Sequence, residues 1–276
     1  MVDNAGKTLR WLGRITGAIA RASRRDRVAA ESARVAYYSF LSLFPFLLTL
    51  FAVTGIVGGQ DAFEWVMRQI ATALPGQAFR VVEDFVGEVT TSRRPGVLSL
   101  SVVLMLYVAS NIFAALFDGL NMAYCVTRRR RWWKKRAMSV VFLMAAMAAM
   151  LGSAVALLVG PELGRLIGFE SLASTLRWPL IYLVALGMIW LVYYFLPNHD
   201  QSRSKRRILA GAVVGTTLWA LATVLFRLWV QLLSEYTPYG FVWGGMLLLI
   251  WFYLTAFSIL VGGHVAAELE RRAVGV

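Results

Sequence analysis

The stretch FVWGGMLLLIWFYLTAFSILVGG, residues 241–263, contains no Asp, Glu, Lys or Arg. A helix needs ~20 consecutive apolar residues to cross the hydrocarbon core of a bilayer. In water this stretch would leave a continuous apolar surface exposed, whereas lipid solvates it. It therefore predicts a transmembrane helix.

Five further stretches have a similar length and apolar character. They are residues 35–57, 97–126, 137–160, 178–197 and 208–233. Each must be helical, because a lone strand would leave its backbone N–H and C=O groups without hydrogen bonds in hydrocarbon. The sequence thus predicts an all-α, polytopic membrane protein with six transmembrane helices in one domain, residues 35–263.

The composition of the whole chain supports the same class. Of its 276 residues, 59% are hydrophobic and 16% are charged, whereas soluble domains average ~45–50% apolar and ~25% charged residues. A soluble enzyme and a disordered chain are therefore excluded. The single cysteine, Cys125, excludes a disulfide framework.

The positive charge is distributed unevenly between the predicted loops. The chain carries 28 Lys and Arg against 15 Asp and Glu, a net charge of +13. Of the 28, 21 lie in residues 1–34, 127–136, 198–207 and 264–276, and six lie in the alternate loops. Positively charged loops stay in the cytoplasm, so we expect both termini to be cytoplasmic. This bias explains the basic charge without nucleic acid.

Two segments outside the spans have amphipathic patterns. Residues 1–34 predict a cytoplasmic, interfacial N-terminal helix. Its apolar stripe is formed by Leu9, Leu12, Ile15 and Ile19. Residues 58–96 predict an extracytoplasmic insert of two short amphipathic helices, which Pro75 and Gly76 separate. Residues 264–276 are expected to form a cytoplasmic tail.

Polar residues inside the spans are candidates for a translocation cavity, because a polar group in hydrocarbon usually faces the bundle interior or water. Asn111, Asp118 and Asn121 form one stripe on the second span, and Arg227 is the only base within any span. Asp118 lies ~12 Å and Arg227 ~28 Å from the inner ends of their helices, so we expect no direct pair. A purely structural role between helices is the alternative for these residues.

The first span adds further candidates for this cavity. Tyr37 and Ser42 supply hydroxyl groups, and Pro45 is expected to kink the helix because it lacks a backbone donor.

The basic segment TRRRRWWKKR, residues 127–136, is expected to meet anionic lipid head groups at the inner leaflet. The candidate contacts are Arg128, Arg129, Arg130, Arg131, Lys134 and Lys135. RNA phosphates are the less favoured alternative, because no residues nearby are arranged to cleave RNA.

The residue inventory gives little support for catalysis. The sequence has no nucleophile elbow, phosphate-binding loop or dinucleotide-binding motif. His264 and Glu268 are spaced to share a helix face, but two ligands do not make a metal site. We therefore expect no enzyme activity, no cofactor and no metal.

Small residues predict close helix packing. Gly211 and Gly215 form a GxxxG pattern in the fifth span. Packing within one chain and formation of a homo-oligomer both remain open.

Several motifs in order resemble the YihY/BrkB family of bacterial inner-membrane proteins. They are YYSFLSLFP (37–45), GLNMAYCVTRRRRWWKKR (119–136), YYFLPN (193–198), RRILAGAVVG (206–215), YTPYG (236–240) and AAELER (266–271). The resemblance implies a six-helix integral protein of the bacterial inner membrane. Transport and envelope roles have been proposed for this family, and its former label, ribonuclease BN, is regarded as mistaken. It supplies no agreed catalytic residues.

The chain departs from this family pattern at one position. Members often read Gly-Ala-Glu after the last span, where this chain has Gly262, Gly263 and His264. A role that needs that glutamate is therefore in doubt here.

Two functions follow from these observations. The leading hypothesis is a transporter or flippase-like protein for an envelope lipid or other amphiphile. The alternative is a structural or scaffold protein of the cell envelope. A membrane-tethered ribonuclease ranks third.

Overall fold

The computed structural model describes residues 25–57, 95–126, 130–167, 170–198, 204–233 and 240–274, with single positions 17, 21 and 23. These residues form six helices. They are α1 (Val28–Val57), α2 (Pro95–Ala123), α3 (Trp132–Ile167), α4 (Glu170–Phe195), α5 (Lys205–Leu233) and α6 (Gly240–Val274). The all-α prediction is confirmed. The predicted N-terminal stripe and the helices of the 58–96 insert lie outside the described residues.

Three helices of the described part are long and apolar enough to cross a membrane, judged by length and composition. The qualifying stretches are Leu106–Ala123 in α2, Lys205–Leu232 in α5 and Gly244–Ala273 in α6. A shorter apolar helix covers Pro179–Phe195 in α4.

Two helices extend beyond the spans expected from sequence. Helix α1 begins at Val28 rather than at 35, so Glu31 and Arg34 lie on its first two turns. Helix α6 continues to Val274, through residues expected to form a separate tail. Glu268 bonds Arg271 and Arg272 at i+3 and i+4, at 3.0 and 2.8 Å, and such pairs stabilise the last turns of a helix.

The helices form a closed ring in which each packs on its neighbour in sequence and α1 packs on both α2 and α6. Helix α6 also contacts α2 and α4, so it packs against four of the other five helices. The core among the described residues includes Phe117, Leu120, Tyr193, Ile208 and Leu260.

The helix ends flanked by basic segments lie together. Arg25 before α1 and Arg271 near the end of α6 both approach Sγ of Cys125, just past α2, at 3.5 and 3.4 Å. Asn198 after α4 bonds Asn121 of α2 and Arg130 before α3, both at 3.0 Å. We call this end of the bundle, where α1 and α3 begin and α2, α4 and α6 end, the basic end.

Helices α5 and α6 cross with their backbones in contact. A methyl group on Gly211 would lie 2.5 Å from Cβ of Ala266 and 2.8 Å from the carbonyl oxygen of Gly262. A methyl group on Gly262 would lie 2.6 Å from Cα of Gly215. The GxxxG pattern is therefore used for packing within the chain.

The N-terminal turn is tied to α6 by a buried histidine. His264 is 1% exposed, and its Nε2 lies 3.2 Å from Oδ2 of Asp26, while Nδ1 lies 2.9 Å from the carbonyl oxygen of Leu260. Asp26 also accepts a 2.8 Å bond from Nε of Arg25. This hydrogen bond is the main cause of a raised pKa at the Arg25 guanidinium. Arg27, with φ of 51°, lies in the turn between Arg25 and α1.

The glycine contact gives a first prediction. Gly211→Ala should lower the free energy of unfolding by about 1–3 kcal/mol, because backbone atoms cannot move aside as side chains do. The measurement is thermal unfolding of the purified protein in detergent. Gly187→Ala is the matched control, since nothing lies within 4 Å of a methyl group there. Equal unfolding temperatures for both variants would contradict the packing.

The histidine contact gives a second prediction. His264→Glu should destabilise the protein by about 2–4 kcal/mol, because two carboxylates would then face each other in a site with little water. Asp26→Asn in the same chain should restore most of this loss. The measurement is the same unfolding assay at neutral pH, and a double variant no more stable than His264→Glu would refute the pairing.

Candidate functional site

A partly open cavity of about 500 Å³ lies at the basic end. Its wall comes from α1, α2, the segment before α3, and the first turns of α3. The lining residues are Glu31, Arg34, Phe117, Asp118, Asn121, Met122, Cys125, Val126, Arg130, Trp132 and Lys135. The wall therefore combines charged groups with large apolar side chains.

Asp118 lies at the centre of the polar wall and is held by two cations. Nη2 of Arg34 lies 2.9 Å from Oδ2, and Nζ of Lys135 lies 2.5 Å from Oδ1. Each oxygen thus has its own cationic donor, and the three side chains join α1, α2 and α3. The Asp118 side chain is 40% exposed, so water still reaches the pair.

Arg34 reaches this carboxylate because α1 begins early. Its Nη2 also lies 2.9 Å from Oε2 of Glu31, one turn back, and 3.3 Å from the carbonyl oxygen of Ala115. Its Nε is buried without an acceptor among the described residues. Nη2 of Arg34 therefore contacts the carboxylates of both Glu31 and Asp118, whereas its Nε donates no hydrogen bond to a described residue.

Arg130 faces the cavity from the segment before α3, and its bonds go to neutral groups. It donates to Oδ1 of Asn198 at 3.0 Å, to the carbonyl oxygen of Phe195 at 3.5 Å and to Sδ of Met138. Its guanidinium lies 5.7 Å from the ring centre of Phe117. Burial lowers the pKa of this guanidinium, because the charged form loses water.

The other members of the α2 stripe also bind polar partners. Asn111 accepts a 2.7 Å bond from Nη1 of Arg136. The Arg136 guanidinium also lies 4.1 Å from the ring centre of Tyr107. Asn121 lines the cavity and accepts a 3.0 Å bond from the backbone N–H of Asn198. The stripe therefore binds the basic segment and the end of α4.

The structure brings four predicted residues into one cavity, namely Asp118, Asn121, Arg130 and Lys135. Two sets that were predicted separately, the cavity stripe and the head-group contacts, meet there. Arg131 and Lys134 are exposed and do not line the cavity.

Other predicted residues lie outside this cavity. Tyr37 is 57% exposed, and Ser42 is buried and donates to the carbonyl oxygen of Ser39 at 2.8 Å. Position 45 lies within α1, but the Pro45 side chain and the expected kink lie outside the described part, as do Arg128 and Arg129. Arg227 is exposed, ~33 Å along α5 from Lys205.

Sequence reasoning missed Glu31 and Arg34, because it placed them in the N-terminal segment ahead of the first span. A signal was present in the charge pattern. Asp118 lies five residues, about one and a half turns, from the end of α2 at Ala123, a depth that long Arg and Lys side chains at the helix ends can reach by extending along apolar surface.

Glu268 lies four residues after His264, but its carboxylate binds Arg271 and Arg272. The two side chains therefore do not form a common ligand site. Within the described ranges, no group of three or more His, Cys, Asp or Glu side chains is placed to hold a metal ion.

Comparison with known proteins identifies the family. Residues 19–275 match the family described as Virulence factor BrkB. The chain is 32% identical over 253 residues to the putative ribonuclease-like protein YfkH of Bacillus subtilis, covering 88% of this chain and 90% of that protein. It is 25% identical over 272 residues to a UPF0761 membrane protein of Pseudoalteromonas atlantica, covering 90% and 83%. No solved structure matches the chain. This chain is therefore a membrane protein of the BrkB family.

Proposed function

We propose that this protein crosses the bacterial inner membrane six times, with the basic end in the cytoplasm. The supporting observation is that α1 and α3 begin at the same end of the bundle at which α2, α4 and α6 end. These helix ends border the segments that carry most of the Lys and Arg residues, and such segments stay in the cytoplasm.

Within this arrangement, the proposed function is movement of an envelope lipid or another amphiphile between the membrane leaflets, as a transporter or flippase-like protein. The observation that carries it is the mixed wall of the cavity at the basic end. Arg34, Asp118 and Lys135 form a charged side, and Phe117, Met122 and Trp132 add apolar surface. An amphiphile has the same two kinds of surface, so this wall is complementary to it.

The exposure of one aromatic side chain of the cavity also supports this proposal. Trp132 is 77% exposed and lies within the basic segment. Trp side chains are typical of the membrane–water interface, where head groups lie. This position supports entry of lipid head groups from the inner leaflet toward Lys135 and Asp118.

The charged side chains of the cavity bind one another and the backbone, and we propose that they hold and release a head group without chemical change. The name of the Bacillus relative raises ribonuclease activity as a further candidate. In this chain, however, three cations of the basic segment donate hydrogen bonds to side chains of the same chain, namely Arg130, Lys135 and Arg136. We therefore propose lipid rather than RNA as its ligand.

A structural role in the envelope remains the second candidate. The bonds from Arg34 and Lys135 to Asp118 link three helices, which is also what a static scaffold needs. A scaffold predicts that partner binding depends on the loops, whereas transport predicts that activity depends on the cavity.

Transport is tested by reconstituting the protein into liposomes with a fluorescent anionic phospholipid and following access from the outer leaflet. The wild-type protein should speed lipid movement, and the Arg34→Gln, Lys135→Gln double variant should lose about tenfold or more of this rate. Lys134→Gln, which changes an exposed neighbouring cation, should keep it. Equal movement with and without protein for several head groups would rule out transport.

The topology is tested with Cys125, which is the only cysteine and is exposed. A membrane-impermeant maleimide should label it in inverted vesicles and not in intact spheroplasts. A Ser92→Cys, Cys125→Ser chain should show the reverse pattern, because residue 92 lies in the predicted outer insert. Labelling of Cys125 in intact spheroplasts would overturn the orientation.

A further inference from the structure

The Asp118 carboxylate is an anion held inside the cavity between two cations. Its two oxygens receive separate cationic donors, Arg34 at 2.9 Å and Lys135 at 2.5 Å. A phosphate group also presents neighbouring oxygens to converging donors, and it accepts strong, charge-assisted hydrogen bonds. The two donors that hold the carboxylate therefore suit a phosphate.

We propose that the cavity binds the phosphate head group of an anionic amphiphile, and that this phosphate replaces the Asp118 carboxylate between Arg34 and Lys135. This inference rests on the proposed function, because it names the substrate class of the same cavity. The exchange makes and breaks ion pairs only, so no covalent bond changes.

The charge balance of the wall favours an anion. Of the residues that the structure describes, three cations line the cavity, Arg34, Arg130 and Lys135, against two carboxylates, Glu31 and Asp118. Glu31 is already paired with Arg34 at 2.9 Å. Among the described residues Arg130 bonds neutral acceptors, so no described carboxylate offsets its charge. An incoming anion would supply a negative charge that balances the charge of Arg130.

The identity of the cations favours phosphate over a single carboxylate. Two of the three are arginines, whose planar forks bind phosphate oxygens in pairs. A phosphate monoester carries about 1.5 to 2 negative charges at neutral pH, so it competes well with a carboxylate of charge −1. A zwitterionic head group would bring a cation into a positive cavity and should bind less well.

The exposure of Asp118 lets its carboxylate leave the two cations when a head group binds. Its side chain is 40% exposed, so a released carboxylate can turn into water instead of remaining buried without a partner. Glu31, with a 19% exposed side chain, would keep Arg34 in place during the exchange. The apolar side chains Phe117, Met122 and Val126 would contact the hydrophobic part of the ligand.

The test is isothermal titration of the full-length protein in an uncharged detergent with four probes. They are dioctanoyl phosphatidic acid, dioctanoyl phosphatidylcholine, dioctanoylglycerol and inorganic phosphate. Phosphatidic acid should bind most tightly, and inorganic phosphate should compete weakly. Inorganic phosphate binding as tightly as phosphatidic acid would overturn the amphiphile as source. Equal binding of dioctanoylglycerol and phosphatidic acid would overturn phosphate recognition, and equal binding of the two phospholipids would overturn the preference for an anionic head group.

Variants separate competition from a structural role of Asp118. Lys135→Gln and Arg130→Gln should each weaken phosphatidic acid binding about tenfold, the effect of losing one charge-assisted hydrogen bond. Asp118→Asn should tighten binding about three- to tenfold, because the competing anion is gone. Lys134→Gln should leave it unchanged.

Weaker or unaltered binding by Asp118→Asn would overturn the exchange. If that variant does not fold, the probe ranking on wild-type protein and the contrast between Lys135→Gln and Lys134→Gln still decide the proposal. Transport without phosphatidic acid binding would refute this inference alone, whereas binding in the expected order without transport would refute the proposed function alone.

Discussion

The ion pairs of Asp118 are the interaction on which the basic end of this protein depends. A carboxylate inside a long apolar helix is costly unless cations satisfy it. Arg34 from α1 and Lys135 from α3 provide those cations, so the pairing positions three helices at once. The same arrangement forms the charged side of the cavity.

Close contact between helix backbones is a second constraint, and it positions α4 and α5 against α6. Lipid offers little hydrophobic drive for helix association, so close backbone contact and packing take its place. Gly211 and Gly215 of α5 meet Gly262 of α6 in this way, and Tyr193 of α4 donates to the carbonyl oxygen of Ile259 on the same face. Helices α4, α5 and α6 thus support the cavity wall, and none of its described lining residues comes from them.

His264 shows how a local departure from a family pattern is accommodated. In this chain the imidazole is buried against Asp26, which is itself bonded to Arg25. The resulting chain of contacts anchors the turn before α1 to α6. Since Arg34 lies two turns into α1, this anchor also helps to place the residue that binds Asp118.

The fold class could be predicted from sequence because long apolar helices are a local property. The polar stripe of α2 was also visible, since a spacing of seven places Asn111 and Asp118 on one face. Helix ends were less certain. Residues 28–34 and 264–274 carry charges that hydropathy assigns to loops, yet pairs such as Glu268 with Arg272 continue the helix.

The sequence by itself determined the helical class, the uneven positive charge and the presence of a polar face on α2, because each follows from the order of residues along one helix or loop. Only the tertiary structure decided that Asp118 binds Arg34 and Lys135 rather than a distant base, and that Gly211 and Gly215 pack on α6. These partners lie far apart along the chain, and their contact depends on how neighbouring helices pack and rotate, which no local pattern specifies.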